Sequence, residues 1–383
     1  MSPRTDQRRF RSTAPQNPVA AERADGARAI LAPARSASNK GIEMRTGRLL
    51  AVLLLWRVAG AGQSEDALND FFRKRAGLND REIAAVSSGV PVAKVLPTPT
   101  PAEILVFGAV YVSGSPADYL ALAKDLDALR RIPGYLAIRR FSSPPRISDL
   151  EGFTLDREDI KDLRKCRPGD CIVQLPVEAI EALQKSVDWA APEVDVALQV
   201  NTILQTTALE ALLAYQRGGN AALGTYRDQS APAEIGKQFV TLVGRFETLP
   251  VYLPDLRRFL LEYPNFEPPG VESQFYWEKV NFGLRPTLRL VHAVAYRGSG
   301  QEPVYATAAK QLYASHYFHT ALDTIACIEV AGRPGFFLVT VKGSEQAGLT
   351  GVKGSMIRKV AAGKVRSSLE KALAGIKRAL EAR

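Results

Sequence analysis

The sequence predicts an α+β protein in which an antiparallel sheet meander is closed by a long C-terminal helix. Runs of β-branched and aromatic residues joined by short glycine-rich turn signals are typical of such a meander. These runs are 275–282, 288–297, 304–318, 322–330 and 336–342. Further on, apolar residues recur every three to four positions, which predicts one amphipathic helix. They are Val365, Leu369, Leu373, Ile376 and Leu380.

The remaining elements follow from local signals in chain order. Residues 65–88 predict two short helices, and the alternating prolines at 97–101 predict an extended connector. Glu103–Val112 predicts a strand with both faces apolar, so that it must be covered on both sides. A capped helix is expected from 115 to 130, and a helical or irregular segment after Pro133. Short strands and loops are expected at 150–175, followed by a helical insertion at 176–263.

The N-terminal region predicts an export signal that begins at Met44. Basic residues, a short apolar run and small residues at 59–61 follow in the order of a cleavable secretory signal. Residues 1–43 are therefore interpreted as a non-native upstream extension and 44–61 as the signal peptide. Residues 62–101 are interpreted as short helices with a proline-rich linker, and 102–383 as the main domain. The predicted location is periplasmic or secreted.

The basic charge of the chain does not predict a nucleic-acid partner. Residues 1–61 carry a net charge of +7, so that the formal charge falls from +10 to +3 without them. Residues 353–383 hold nine Lys or Arg against two Glu. Such asymmetry can mark a surface for an anionic membrane, whereas the simpler interpretation is a solvated helix face.

The three cysteines predict one disulfide. Cys166 and Cys171 flank a Pro-Gly turn, which brings the ends of a short loop together and suits an oxidising compartment. A zinc site is disfavoured because the sequence near this pair has no histidine, and redox catalysis because the C-x-x-C spacing is missing. Cys327 lies in an apolar run and is interpreted as a buried small hydrophobe.

The histidines and aromatic residues of the meander are the candidate ligand-binding residues. Large apolar surfaces with a few polar tips suit a concave small-molecule site, although aromatic residues in strands are also ordinary core residues. The candidates are Tyr276, Trp277, His292, Tyr313, His316, Tyr317 and Phe336. Alternation along a strand places His316 and His319 on opposite faces, so a metal site is not predicted. For the same reason Ser315 and His316 are not expected to form a nucleophile–base pair, and no cofactor is expected.

The order of one strand, two helices, a meander and a closing helix resembles the helix-grip fold of the START-like, or SRPBCC, superfamily. In that superfamily the sheet wraps the last helix around a cavity for lipids or other apolar ligands. Four sequence blocks also look like an uncharacterised family of exported bacterial proteins, which brings no known activity. They are 141–145 (FSSPP), 149–150 (DL), 163–171 (LRKCRPGDC) and 310–318 (KQLYASHYF).

These observations predict an exported protein that binds or carries an apolar or amphipathic small molecule or lipid. The alternative is a structural or protein-interaction component of the cell envelope, with the helical insertion as its docking surface. An enzyme that uses His292 and His316 as acid–base groups is the third interpretation, since the superfamily includes cyclases. No catalytic residue is assigned, because the sequence contains neither a G-x-S-x-G elbow nor a P-loop.

Overall fold

A computed structural model describes residues 64–131, 134–282, 285–298, 304–349 and 351–382, without the side chains of 351–353. The predicted upstream extension and signal peptide therefore lie outside the described residues. Among the helices in the described ranges, none combines the length and the apolar character that a bilayer span requires.

The described residues alternate between helices and strands. The helices are α1 Glu65–Lys74, α2 Asp80–Ser87, α3 Pro116–Ala123, α4 Leu126–Arg130, α5 Arg157–Leu163, α6 Val177–Ser186, α7 Glu193–Gly218, α8 Ile235–Val243, α9 Thr248–Tyr252, α10 Pro254–Glu262 and α11 Gly351–Glu381. The strands are β1 Val92–Leu96, β2 Glu103–Val112, β3 Tyr135–Arg140, β4 Thr225–Tyr226, β5 Ala233–Glu234, β6 Val271–Val280, β7 Thr287–Arg297, β8 Tyr305–Ala314, β9 Phe318–Val330 and β10 Arg333–Gln346.

Eight of these strands form one antiparallel sheet in the order β1-β2-β10-β9-β8-β7-β6-β3. The five consecutive strands β6 to β10 are the predicted meander, and β2 pairs with the last of them. The long helix α11 follows the meander directly. The predicted α+β class, the antiparallel sheet and the C-terminal helix are thus confirmed.

Two edge strands differ from the sequence-based expectation. Residues 135–140, expected to be helical or irregular, form β3 and pair with β6. Only Ile138 of this strand is buried, so the alternation that signals a strand is almost absent from it. Residues 92–96 form β1 beside β2, although the nearby prolines predict only a connector. Both strands are specified by pairing to the existing sheet edge and not by local pattern.

The sheet is covered on two sides, as the apolar pattern of β2 predicts. On the inner face, which we define as the face that α11 covers, Val106 and Val110 pack against the helix residues Leu369 and Leu373. On the opposite, outer face, Leu105 and other strand residues pack against α1, α2, α8 and α10. Burial on both faces explains why the strand is apolar throughout.

Close packing fixes α11 against β2. Gly108 has no side chain, and a Cβ atom there would meet Leu369 Cδ2 and Leu373 Cδ1 at 2.9 Å. Lys377 Nζ donates to the carbonyl oxygen of Tyr111 at 3.1 Å. At the end of the helix, Glu381 Oε1 accepts from Ser113 N, just after β2. The helix therefore approaches the sheet as closely as a glycine permits.

The insertion has its own core beside the outer face, and the predicted disulfide is part of it. Cys166 and Cys171 are bonded with their Cα atoms 4.5 Å apart. The short loop between them bonds to the segment before β5, since Cys171 N donates to the carbonyl oxygen of Asp228 at 2.8 Å. Cys327 is free and buried, as predicted.

Candidate functional site

The middle of the inner face is partly open to solvent. Ala293, Ala309, Asp323 and Lys342 are directly paired neighbours on β7 to β10, in register with the inner-face residue Val106 of β2. All four are partly exposed, as is Ile325 on the same face of β9. We call these five residues the inner groove: Ala293, Ala309, Asp323, Ile325 and Lys342.

The same strands are closed on their other side. The outer-face residues Ala308, Leu322 and Val341 are between 0 and 3 % exposed. The difference arises because α11 packs mainly on the β1 and β2 side of the inner face, and its apolar cluster reaches β9 at Cys327 and Ile325. On the far side, Tyr119 of α3 bonds to Thr307, and Leu126 of α4 packs near β3. Ala293 and Ala309 pack against the cluster that contains Leu126, and Ile325 packs against the α11 cluster, so the inner groove is a partly covered strip between these two layers.

One end of the inner groove carries paired charges. Arg289 Nη1 lies 2.9 Å from Glu278 Oε1, and Arg289 Nε donates to Gln311 Oε1 at 3.2 Å. Lys342 and Asp323 form a second ion pair, whose side chains are 35 and 37 % exposed. Glu278, in contrast, is only 2 % exposed. The groove therefore combines a buried charge with charges that solvent can reach.

These charges act on one another as one cluster, which we call the inner-face charge cluster: Glu278, Arg289, Asp323 and Lys342. Burial raises the pKa of Glu278, Arg289 opposes the rise, and Asp323 adds to it. Burial also raises the pKa of Tyr276 and Tyr135, with Glu278 contributing to both shifts. The two tyrosines consequently stay neutral and can donate hydrogen bonds at neutral pH.

Two buried oxygens on this face have no hydrogen-bond partner among the described residues. They are Glu278 Oε2 and Thr340 Oγ1. Thr340 pairs directly with Ile325, so its hydroxyl belongs to the floor of the inner groove. Unpaired buried polar atoms are uncommon in folded proteins, and both oxygens can accept a hydrogen bond from a bound molecule.

The predicted ligand residues do not line one surface. Tyr276 lies on the inner face near the charge cluster. Phe336 is also on the inner face but is fully buried beneath α11. Trp277, His292 and Tyr313 belong to the outer face, and His316 and Tyr317 to the turn between β8 and β9.

Trp277 and Tyr313 have contacts typical of a core. Trp277 Nε1 donates to the carbonyl oxygen of Asp149 at 2.7 Å, and its ring packs edge-on against Phe153. Tyr313 packs edge-on against Tyr226 of the insertion. These two residues join the sheet to the insertion.

His292 belongs to a buried network that reaches the surface at one end. Its Nδ1 lies 3.0 Å from Tyr215 Oη, and its Nε2 lies 2.9 Å from Oγ of the exposed Ser273. Lys310 Nζ donates to Tyr215 Oη at 3.2 Å and to Asn220. Burial lowers the pKa of His292 well below its ordinary value, and Lys310 adds to this effect.

Lys310 is the least expected member of this network, because it is fully buried on the outer face. No carboxylate pairs with it among the described residues. Its Nζ lies 4.0 Å from the ring centre of Phe239 and 4.4 Å from that of Tyr215. Burial lowers the pKa of Lys310 well below its ordinary value. Nothing in the residues around Lys310 indicates this burial, since a lysine in a strand is ordinarily exposed.

Ser315 and His316 contact each other, contrary to the prediction from strand alternation. Tyr317 adopts a positive φ of 65°, and residues 315–317 form a turn in which Ser315 Oγ lies 2.8 Å from His316 Nδ1. His316 Nε2 is 3.2 Å from Asp159 Oδ1, but its N–H direction does not complete a hydrogen bond. Ser315 is fully buried and also accepts from Leu288 N.

This Ser–His–Asp arrangement therefore holds the turn to α5 and presents no accessible nucleophile. Burial raises the pKa of Asp159, but the proximity of His316 and the hydrogen bond from Arg285 outweigh it and leave that pKa below its usual value. Arg285 also forms an ion pair with Asp162, which lies on α5 together with Asp159. His292 and His316 thus belong to separate networks, and neither faces the inner groove.

No metal site is found in the part of the chain that the structure describes, where no three His, Cys, Asp or Glu residues come together suitably. Comparison with protein-family models, with curated proteins and with solved structures gives no match.

Proposed function

We propose that the protein binds and carries an amphipathic small molecule or lipid in the inner groove. The observation that carries this proposal is the row formed by Lys342, Asp323, Ala309 and Ala293. These residues are partly exposed in the middle of a sheet whose other face is closed. Small apolar side chains beside a few convergent polar groups have the composition of a small-molecule site.

The chemistry of the groove favours a ligand with two different ends. Ala293, Ala309 and Ile325 offer small apolar surface, which suits a hydrocarbon chain or ring system. The inner-face charge cluster lies at one end and offers both signs of charge to a polar head group. Glu278 Oε2, which belongs to this cluster, would accept a hydrogen bond from a hydroxyl or amine of that group. Thr340 Oγ1 lies four strands away, beside Ile325, and would accept one from a different part of the ligand.

The element order supports assignment to the helix-grip fold. In that fold an antiparallel sheet wraps a long final helix. Here the strand β2 precedes the helices α3 and α4, the meander β6 to β10 follows the insertion, and α11 closes the chain. The START-like resemblance implies a ligand on the α11 side of the sheet, which is also the side of the inner groove.

The disulfide supports the proposed export of the protein. Cys166 and Cys171 are bonded, and such bonds persist in oxidising compartments such as the periplasm. We therefore place the carrier function in the periplasm or outside the cell.

Binding of a fluorescent fatty acid to the purified protein tests this function. Ala309→Trp fills the inner groove with an indole and should weaken binding at least about tenfold, while the melting temperature stays within a few degrees. The matched control is Val240→Trp, at a position on α8 that is 49 % exposed, which should bind as the wild type does. Ala293→Trp repeats the test if the first variant does not fold.

Equal binding of the fatty acid by the wild type and both groove variants would refute the proposal.

A second candidate function, a docking component of the envelope, is favoured by one observation. Val194 and Leu198 are 79 and 67 % exposed one turn apart on α7 of the insertion. Loss of a co-purifying envelope protein on substitution of this pair, with no fatty-acid binding by the wild type, would support that function instead.

A further inference from the structure

The helix α11 presents two different surfaces. Ala362, Leu369, Leu373 and Leu380 are buried against the sheet. Three large apolar side chains near the start of the helix face solvent instead. They are Met356, Ile357 and Val360, which are 74, 53 and 55 % exposed.

Cations accompany this apolar surface. Lys359, Lys364, Arg366 and Lys371 are exposed, and none of them forms an ion pair with a described residue. Arg358 differs, because it donates to Thr98 Oγ1 at 2.9 Å and helps to hold the helix to the sheet. No Asp or Glu occurs from residue 354 to residue 369. The exposed side of this half of the helix is therefore apolar and basic.

We propose that this side of α11 docks on an anionic membrane surface. A helix with exposed apolar residues beside Lys and Arg lies in the membrane interface, where the apolar side chains enter the head-group boundary and the cations bind lipid phosphates. Charge complementarity selects this occupant over a second copy of the chain, since pairing two copies would bring like charges together. We call Met356, Ile357, Val360, Lys359 and Lys364 the docking surface.

The docking surface lies toward the same end of the sheet as the charged end of the inner groove. β10 carries Lys342 and ends at Gln346, and α11 begins five residues later, at Gly351. Glu278 of β6 and Arg289 of β7 lie toward the same end of the sheet, because Val280 pairs with Thr287 there. If the proposed carrier function holds, the docked protein presents the groove next to lipid head groups, from which a lipid could enter.

Co-sedimentation with vesicles tests the docking proposal. The wild-type protein should bind vesicles of equal parts phosphatidylcholine and phosphatidylglycerol, but not vesicles of phosphatidylcholine alone, and salt should weaken binding. The double substitution Lys359→Gln with Lys364→Gln should lower the partition coefficient of the protein onto anionic vesicles about 25-fold. Each basic residue near such a surface raises this coefficient roughly fivefold. Met356→Asn, Ile357→Asn and Val360→Asn together should lower it by about tenfold or more.

Matched controls separate docking from general effects of substitution. Lys185→Gln, at an exposed position of α6, and the pair Val194→Asn and Leu198→Asn on α7 should leave vesicle binding unchanged. Equal vesicle binding by the wild type and both docking-surface variants would overturn the proposal. Concentration-dependent dimerisation of the wild type that the apolar variant abolishes, without vesicle binding, would assign the surface to a second copy.

The groove variant keeps this test distinct from that of the carrier function. Ala309→Trp should bind anionic vesicles as the wild type does, although it no longer binds the fluorescent fatty acid. Vesicle binding without fatty-acid binding would therefore remove the carrier function alone. Fatty-acid binding without vesicle binding would remove the docking proposal alone.

Discussion

Replacing Lys310 with Met should change how the stability of the protein depends on pH. Methionine keeps most of the buried volume but removes the amine and its contacts with Tyr215 and Asn220. At about 1 kcal/mol for each hydrogen bond, the variant should lose about 2 kcal/mol where wild-type Lys310 is neutral in both states. Such conditions lie at or above pH 10.4, the ordinary pKa of lysine.

The sign of the pH dependence follows from the lowered pKa of Lys310 in the fold. Below pH 10.4 the unfolded chain binds a proton that the folded chain does not. The free energy of unfolding of the wild type therefore falls by about 1.4 kcal/mol for each unit by which the pH decreases, until the pH reaches the pKa of Lys310 in the folded protein. The variant has no amine at this position, so its free energy of unfolding lacks this pH dependence. The two free energies of unfolding should become equal near pH 9, and the variant should be the more stable at lower pH.

Urea unfolding of both proteins at several pH values between 7 and 10 measures this difference. Lys185→Met, on the exposed surface of α6, is the control and should follow the wild-type pH dependence throughout. The reasoning about Lys310 would be refuted if its variant and the wild type differed by the same free energy at every pH. Such a result would mean that the buried amine has the same pKa in both states.

Three other substitutions test the packing and pairing of the fold. Arg289→Met should cost about 3–5 kcal/mol in urea unfolding by leaving Glu278 buried without a partner, and adding Glu278→Gln should restore much of the loss. Cys166→Ser with Cys171→Ser should cost about 2 kcal/mol, and peptide mapping without reductant should find this pair linked in the wild type. Gly108→Ala should cost about 1–3 kcal/mol, because its Cβ would meet two leucines of α11 at 2.9 Å, and calorimetry should detect the lower melting temperature. An unchanged melting temperature for this variant would contradict the close helix–sheet contact.

The parts of the fold that sequence predicts are those with strong local patterns. Asn79 and Glu82 form a capping box, which marks the start of α2 in the sequence and in the structure. The β-branched runs identify the strands of the meander, and the spacing from Val365 to Leu380 identifies α11. The Pro-Gly turn between Cys166 and Cys171 likewise predicts the disulfide, because its geometry is local.

The parts that sequence does not predict depend on distant contacts. β3 is a strand because β6 offers it an edge, and its own alternation is weak. Tyr317 has a positive φ without the glycine or asparagine that usually signals one, so the run from 304 to 318 gives no sign of the turn. Lys310 is buried because α7 and α8 cover the outer face, which a single strand cannot reveal.

The candidate site illustrates the same limit. Alternation correctly separates the two faces of each strand, but it does not say which face remains open. Of the predicted aromatic residues, Trp277 and Tyr313 pack toward the insertion and Phe336 lies beneath α11, whereas small and charged residues such as Ala309 and Asp323 line the inner groove. The opening depends on how far α11 and the α3–α4 pair extend across the sheet, which is a property of the assembled fold.

Photo-crosslinking with a diazirine-bearing fatty acid, followed by peptide mapping, tests the central claim most directly. The account predicts labels on the inner-face residues of β7 to β10, around Ala293, Ala309 and Ile325, which unlabelled fatty acid removes by competition and Ala309→Trp abolishes. Labels confined to the exposed surfaces of α7 or α11, unaffected by competition or by the groove variant, would contradict it.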